Sequence, residues 1–200
     1  MRALLPQSNE PNTPRPMETQ TKTMNGFDLE AMHNTVGAIQ QNSAIAAFQL
    51  RAENRWITGG QNHSTVQGFY GACQEDTTRE VPFEFTCDEP YVLLGHNKGA
   101  NPGEVLLYGL LACMTTTMVL LAAAQGIEVE GVSSRIEGDV DLRGFLGLDP
   151  GVPEEFSQLR VVFDIPGATA EQKAMLIGLA QRSPVFNTTT RPVDVQVSAA

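Results

Sequence analysis

The chain has 200 residues, of which 42% are hydrophobic, so it is long enough for one domain with a substantial core and no disulfide or metal staple. Its 23 acidic residues outnumber its 13 basic residues, and the formal net charge of -10 repels phosphate backbones and anionic lipid head groups. We therefore expect neither nucleic acid nor a membrane as a partner.

The three cysteines, Cys73, Cys87 and Cys113, are too few and too scattered for the disulfide framework of a secreted protein. No CxxC pair and no Cys/His cluster has zinc spacing, so we expect neither a metal site nor another cofactor. The three histidines lie in unrelated segments. A reducing, cytoplasmic location is the expectation that follows.

The first 24 residues differ in composition from the rest of the chain. They carry four prolines and many Asn, Gln and Thr residues, and they lack the apolar run that a secretory signal needs. We interpret residues 1 to 24 as a disordered tail and residues 25 to 200 as a single domain.

The segment from Asp28 to Gln41 is predicted to be a short amphipathic helix. Its apolar residues recur at steps of three and four, which is the spacing of one helix face; they are Leu29, Met32, Val36 and Ile39. Short apolar runs separated by turn residues follow, and they predict a meander of antiparallel strands. The predicted strands are Ala44 to Thr58, Thr65 to Cys73, Val81 to Thr86 and Tyr91 to Gly95, with a turn at Gly59-Gly60-Gln61-Asn62.

Twenty consecutive residues from Val105 to Ala124 carry no charge. Asn101-Pro102 and Gln125-Gly126 are start and stop signals, so the segment is predicted to be one helix of roughly six turns. Its length suits a bilayer, but its ends lack both a basic cluster and an aromatic belt. We interpret it as a helix buried inside protein. Because one chain of this size has difficulty covering such a helix, we expect a homodimer.

Strand-like and helical segments alternate after this helix. Val129 to Arg143 and Leu159 to Ile165 are predicted strands, and a further helix is predicted to begin near Thr169 as its N-cap. A final strand is predicted for Val193 to Val197, where apolar and polar residues alternate strictly.

Composition and spacing alone identify no reaction. Cys113 lies near the middle of the uncharged helix, and a free cysteine on an apolar helix is most often a small hydrophobe.

Two stretches resemble the OsmC family, the superfamily that includes the organic hydroperoxide resistance proteins. They are DEPYVLLGHNKGANPGEVLLYGLLACMTTTMVLLAAAQGIEVEGVSSRIEGDVDLRGFLG, from Asp88 to Gly147, and SPVFNTTTRPVDVQV, from Ser183 to Val197. The specific signature is Asn-Pro-x-Glu-x-Leu-Leu followed by Ala-Cys, and the similarity extends over residues 26 to 198. The resemblance implies an α+β fold built as an intertwined homodimer, in which two long central helices are buried and wrapped by antiparallel sheets from both subunits.

The resemblance also implies a reactive thiol. Peroxide-reducing members of the family use a cysteine on the central helix, which Cys113 matches, and its thiolate becomes a sulfenic acid that a second thiol resolves. In the family, that second thiol begins a Cys-Pro motif. Ser183-Pro184 stands there in this chain, and a serine cannot form a disulfide, so an external thiol reductant would have to take over this step.

Two supporting positions also depart from the family pattern. The relatives place an arginine after a Gly-Gly turn, where this chain has Gln61, and a glutamate directly after Asn-Pro, where it has Gly103 and then Glu104. Arg55 is the nearest cation by sequence. Arg55 is therefore either a site residue or a solvated strand residue, and Glu104 either orients a site cation or is a favourable charge at a helix N-terminus.

Three functions remain open from the sequence. The first is a one-cysteine thiol peroxidase that acts on an organic hydroperoxide, with Cys113, Glu104 and Arg55 as catalytic candidates and Ser183 and Gln61 as further site positions. The second is a non-catalytic binding protein of the same fold that holds a small apolar or thiol-bearing ligand. The third is a redox sensor in which Cys113 pairs with Cys73 or Cys87.

Overall fold

The computed structural model describes residues 22–199 and shows an α+β architecture, as the sequence predicts. The helices are α1 (Leu29–Gln41), α2 (Pro102–Ala124), α3 (Leu142–Phe145), α4 (Ala170–Ala180) and α5 (Pro184–Thr190). The strands are β1 (Thr23–Met24), β2 (Phe27–Asp28), β3 (Glu53–Thr58), β4 (Gln61–Val66), β5 (Phe69–Gly71), β6 (Gln74–Asp76), β7 (Phe83–Cys87), β8 (Ser133–Asp139) and β9 (Gln158–Asp164). They form four small antiparallel sheets, β1–β2, β3–β4–β7, β5–β6 and β8–β9.

The helix starts that the sequence predicts are confirmed by their caps. The Asp28 carboxylate accepts the N–H groups of Glu30 and Ala31 at 2.9 and 3.0 Å at the start of α1. Thr169 and Gln172 form a reciprocal capping box at the start of α4. These side chains satisfy backbone donors that the first helical turn leaves unpaired, which is why both helices begin where they do.

Helix α2 runs through the middle of the fold and buries one face. Leu110, Met114, Met118 and Ala122 recur every fourth residue and are buried. Their core partners come from the other side of the layer and are Ile165, Leu176, Leu179 and Ala180. Burial of this face is the main hydrophobic contribution to the stability of the chain.

The other side of α2 is open within one chain. Val105, Leu106 and Tyr108 are exposed, and only 22% of the most apolar part of the helix is buried. By length and composition alone the helix would also be able to cross a bilayer. The sequence predicts a helix covered all round, so within one chain half of that cover is missing.

The β3–β4–β7 sheet has one aromatic face and one polar face. The cross-strand pairs Trp56↔Asn62, Ser64↔Phe85 and Val66↔Phe83 place Trp56, Phe83 and Phe85 on the same side. All three rings are exposed, Trp56 to 72%. Among the described elements α2 packs against α4, α5, β8 and α1, and this sheet makes no comparable contact with it.

Two predicted strands are wrong. Tyr91 to Gly95 contains a 3₁₀ turn at Tyr91–Leu93, because Pro90 precedes it and Leu94 takes a left-handed φ of 65° that ends it. Val193 to Val197 is irregular, since it finds no partner strand within the described chain.

Other strand boundaries shift for local reasons. Ala44 to Thr58 keeps only β3, because Ser43–Ala46 forms a 3₁₀ turn. Thr65 to Cys73 is split into β4 and β5, and the predicted turn narrows to Gly59-Gly60 because Gln61 already belongs to β4. Val129 to Arg143 keeps only β8 before Asp141 caps α3, and helix α5 was not predicted. The predicted tail lies mostly outside the described residues, and Thr23–Met24 already form β1.

Candidate functional site

Cys113 lies on α2 between Leu110 and Met114, at the edge of the buried face, and is half-buried. The other thiols differ in setting. Cys87 is buried at the end of β7, and Cys73 is exposed in the turn of the β5–β6 hairpin, with φ at 64°. The pairing of Cys113 with either of them stays a prediction.

Ser183 is fully buried beside the same helix. Its Oγ accepts the N–H of Phe186 at 3.2 Å, so it caps α5, and its own N–H donates to the carbonyl of Ala180 at 3.0 Å. Helix α5 packs on α2, with Phe186 against the core that contains Leu110 and Met114. The segment that carries the resolving thiol in the relatives therefore packs on the helix of Cys113, but here its side chain serves as a helix cap.

Glu104 also has a structural partner. Its Oε2 accepts the backbone N–H of Asn101 at 2.9 Å, while Asn101 Oδ1 accepts the N–H of Gly103 at 2.7 Å. Together they form the capping box of α2. This contact favours the interpretation of Glu104 as a favourable charge at the helix start, although a role in a reaction remains a prediction.

Gly103 explains why the family's glutamate is displaced by one position. A Cβ at Gly103 would lie 2.9 Å from Asn101 Oδ1 and 3.2 Å from Cζ of Phe156. The Phe156 ring thus fills the space into which a side chain at position 103 would project. A glutamate there would have to displace either the ring or the cap.

Arg55 lies on the polar face of the β3–β4–β7 sheet, opposite to Trp56. Its cross-strand partner is His63, and Glu84 lies on the same face, 3.9 Å from His63. Arg55 is exposed. This placement favours the interpretation of Arg55 as a solvated strand residue, and its proposed role at the thiol stays untested by any contact.

Gln61 follows the Gly59-Gly60 turn, and this turn lies beside the start of α2. A Cβ at Gly60 would lie 2.9 Å from Cγ of Glu89. The Glu89 carboxylate accepts a short hydrogen bond from the side-chain amide of Asn101. Glu89 therefore connects the turn with the helix cap, and sequence reasoning missed it, because its only signal is its place in the resembling stretch before Pro90.

Asp88 organises the loop that carries Glu89. It is 1% exposed, and its carboxylate accepts N–H groups from Glu89, His96 and Lys98 at 2.8, 3.1 and 3.1 Å. Burial alone would raise the pKa of Asp88, but these backbone donors outweigh it and hold the pKa below the ordinary value.

A cleft of about 1100 Å³ opens beside the start of α2. It lies between the loop at Glu89 to Leu94, the first turns of α2 as far as Leu107, strand β8, and the segment from Val140 to Phe156. Its lining is mainly apolar, and its only charged lining residues among those described are four carboxylates, Glu89, Glu104, Glu137 and Glu154. A cleft of this size accommodates a small organic ligand.

Comparison with solved structures identifies the fold. One match is a protein of Psychrobacter arcticus, provisionally assigned to osmotic stress and detoxification, with a TM-score of 0.52, 13% identity and coverage of 68% of this chain and 85% of that one. The OsmC-like protein of Mycoplasma pneumoniae gives a TM-score of 0.52, 19% identity and coverage of 71% and 87%. The organic hydroperoxide resistance protein OhrB of Bacillus subtilis gives 0.48, 18%, 73% and 95%.

Sequence comparison identifies the family. No curated protein sequence is significantly similar to this chain. The profile of the family described as OsmC-like protein matches residues 95–198, which include α2, Cys113 and Ser183. Because this match spans more than half of the chain, the protein belongs to the OsmC-like family.

Proposed function

We propose that this protein is a thiol-dependent reductase of hydroperoxides in which Cys113 is the reacting thiol. The observation that carries the proposal is the position of Cys113 on α2, inside the region that matches the family, with the Ser183 segment packed on the same helix. Peroxide-reducing members of this family use the cysteine at this position of the central helix. The family membership of the chain supports the transfer of that role to Cys113.

The reaction requires an external thiol. The Cys113 thiolate attacks the distal oxygen of the hydroperoxide, the O–O bond breaks, and the alkoxide leaves and takes up a proton to form the alcohol. The sulfur is thereby oxidised to a sulfenic acid. An external thiol condenses with the sulfenic acid to give a mixed disulfide and water. A second thiol then attacks the mixed disulfide and regenerates Cys113.

Three departures from the family pattern limit the expected rate. Ser183 provides no second thiol, and Gln61 is neutral where the relatives have a guanidinium. Glu104 is engaged in the helix cap. We therefore expect a single oxidation per chain to be readily detected, and turnover to depend on the concentration of the external thiol.

The active form is proposed to be an intertwined homodimer. One chain leaves both the Leu106 and Tyr108 side of α2 and the aromatic face around Trp56 exposed. Two apolar surfaces of this kind cover each other when a second copy supplies the missing partner. The cytoplasm is the proposed location, because a reducing environment keeps the three free thiols reduced.

Sulfenic acid trapping tests the proposal. One equivalent of cumene hydroperoxide followed by a dimedone-type reagent should label Cys113, as read by mass spectrometry. Cys113→Ser should abolish peroxide consumption, whereas Cys73→Ser and Cys87→Ser should keep most of it. If Cys113 gives no adduct, or if all three variants lose activity equally, the reductase function is excluded.

A second candidate is a non-catalytic protein that binds a small apolar molecule. It is favoured by the cleft of about 1100 Å³ beside α2, whose lining is mainly apolar. Native mass spectrometry of the protein purified from its source would detect a retained ligand. A bound ligand together with an unreactive Cys113 would favour this function over the reductase.

A further inference from the structure

We infer that the cleft beside the start of α2 binds a small amphipathic cation, an ammonium group on an aliphatic or aromatic body. The cleft is distinct from the surroundings of the thiol. Leu107 lines it, and Cys113 follows six residues later, which turns it by about 240° around the helix. A ligand in the cleft therefore does not occupy the position of the peroxide.

The floor of the cleft is shaped by a deliberate close contact. The Phe156 ring lies against Gly103 of α2 and Gly138 of β8, where added Cβ atoms would come within 3.2 and 2.9 Å of it. Leu107 and Ile136 flank this ring and are half-buried. The floor is thus a packed apolar surface that suits the body of a small organic molecule.

The charge of the cleft selects the head group. All four charged residues in its described lining are carboxylates, and no Lys, Arg or His is among them. Glu137 lies 3.4 Å from Arg160, whereas Glu89 and Glu104 accept only from the uncharged groups of Asn101. Glu154 forms no ion pair or hydrogen bond with any residue from 22 to 199.

Three carboxylates without a cationic partner beside apolar walls produce a negative potential. An ammonium group lowers this potential and an anionic head group raises it, so the cleft distinguishes ligands of equal length by charge. The formal net charge of -10 on the whole chain adds to the same preference. Charge complementarity therefore favours a cationic amphiphile over a fatty acid or a neutral alcohol.

Calorimetry with three ligands of equal chain length tests the inference on the full-length protein. Decylammonium should bind with saturation at one per chain at pH 7 and low salt, and decanoate should bind at least about tenfold more weakly, with decanol between them. Higher salt should weaken decylammonium binding and leave decanol binding unchanged. Cys113→Ser should bind decylammonium as well as the parent does, which separates this site from the proposed reductase.

A matched pair of variants tests the carboxylates. Glu154→Gln should weaken decylammonium binding about three- to fivefold and leave decanol binding unchanged. Glu155→Gln, which removes the neighbouring exposed charge outside the cleft lining, should have no effect. Equal binding of decanoate and decylammonium, equal losses in the two variants, or a dimer that binds none of the three ligands because a second copy fills the cleft would each overturn the inference.

Discussion

Glu89 and Asn101 are joined by a short side-chain hydrogen bond that ties the Gly59-Gly60 turn to the start of the central helix. Asn101 is at the same time the N-cap of α2, so its two sides serve two elements. The loop that holds Glu89 is fixed in turn by the buried Asp88.

The first prediction concerns this link. Glu89→Ala leaves the Asn101 amide without its acceptor and should lower the free energy of unfolding by about 1–2 kcal/mol. Glu89→Gln keeps a carbonyl acceptor and should lose less. Urea unfolding followed by circular dichroism measures both variants. A Glu89→Ala protein as stable as the parent would show that the bond contributes nothing.

Restoring the family's glutamate should disturb the fold. Gly103→Glu places a side chain against Phe156 and should cost about 1–3 kcal/mol through overpacking. Combining it with Phe156→Ala should relieve part of the clash, so the two effects should not add. Thermal unfolding of the single and double variants measures this. Strict additivity would mean that Phe156 does not restrict position 103.

Acidification should destabilise the Asp88 loop. A carboxyl group with a lowered pKa in the folded state stabilises the fold above its unfolded pKa of about 3.9, and this stability is lost as the pH falls through the folded pKa. Asp88→Asn should lower the urea midpoint at pH 7 and flatten its decline from pH 5 to about pH 2. Asp141→Asn is the comparison, because the Arg143 hydrogen bond lowers the pKa of Asp141 to about 2 at an exposed site. A Asp88→Asn profile parallel to that of the parent would contradict the assignment.

The missing resolving thiol can be restored. After one equivalent of hydroperoxide, Ser183→Cys should form an internal disulfide between positions 113 and 183, because α5 packs on α2. The variant should also lose about 1 kcal/mol with the α5 cap. Mass spectrometry under non-reducing conditions detects the bond. A trappable sulfenic acid that persists in the variant would show that the two positions lie too far apart.

The two faces of β3 should differ in assembly. Sedimentation should show a homodimer at low micromolar concentration, and Trp56→Lys should weaken it by placing a charge on the aromatic face. Arg55→Ala, on the opposite face of the same strand, should sediment like the parent. A folded monomeric parent would rule out the intertwined arrangement.

Local signals made the helices predictable from the sequence. Asp28, Asn101-Pro102 and Thr169 cap their own helices through contacts within three residues, so the sequence states these starts directly. The strand pattern of Val193 to Val197 is equally clear, but a strand needs a partner that a local pattern does not supply. The family position of Cys113 was likewise readable from a motif.

Non-local contacts set the rest of the candidate site. Glu89 acts through Gly60 and Asn101, which lie far from each other in sequence, and no spacing rule connects them. The face on which Arg55 lies depends on its register with His63, which the sequence left undecided between two sides of a strand. The cleft carboxylates are similarly drawn from four separate segments.

The ring of Phe156 makes Gly103 and Gly138 a dependent pair in evolution. Each glycine leaves room for the same ring, one from helix α2 and one from strand β8. Once a larger residue at either position has displaced the ring, the second position is released from its constraint. The two glycines should therefore be lost together rather than singly in related sequences, and a substitution at one should make a substitution at the other nearly neutral.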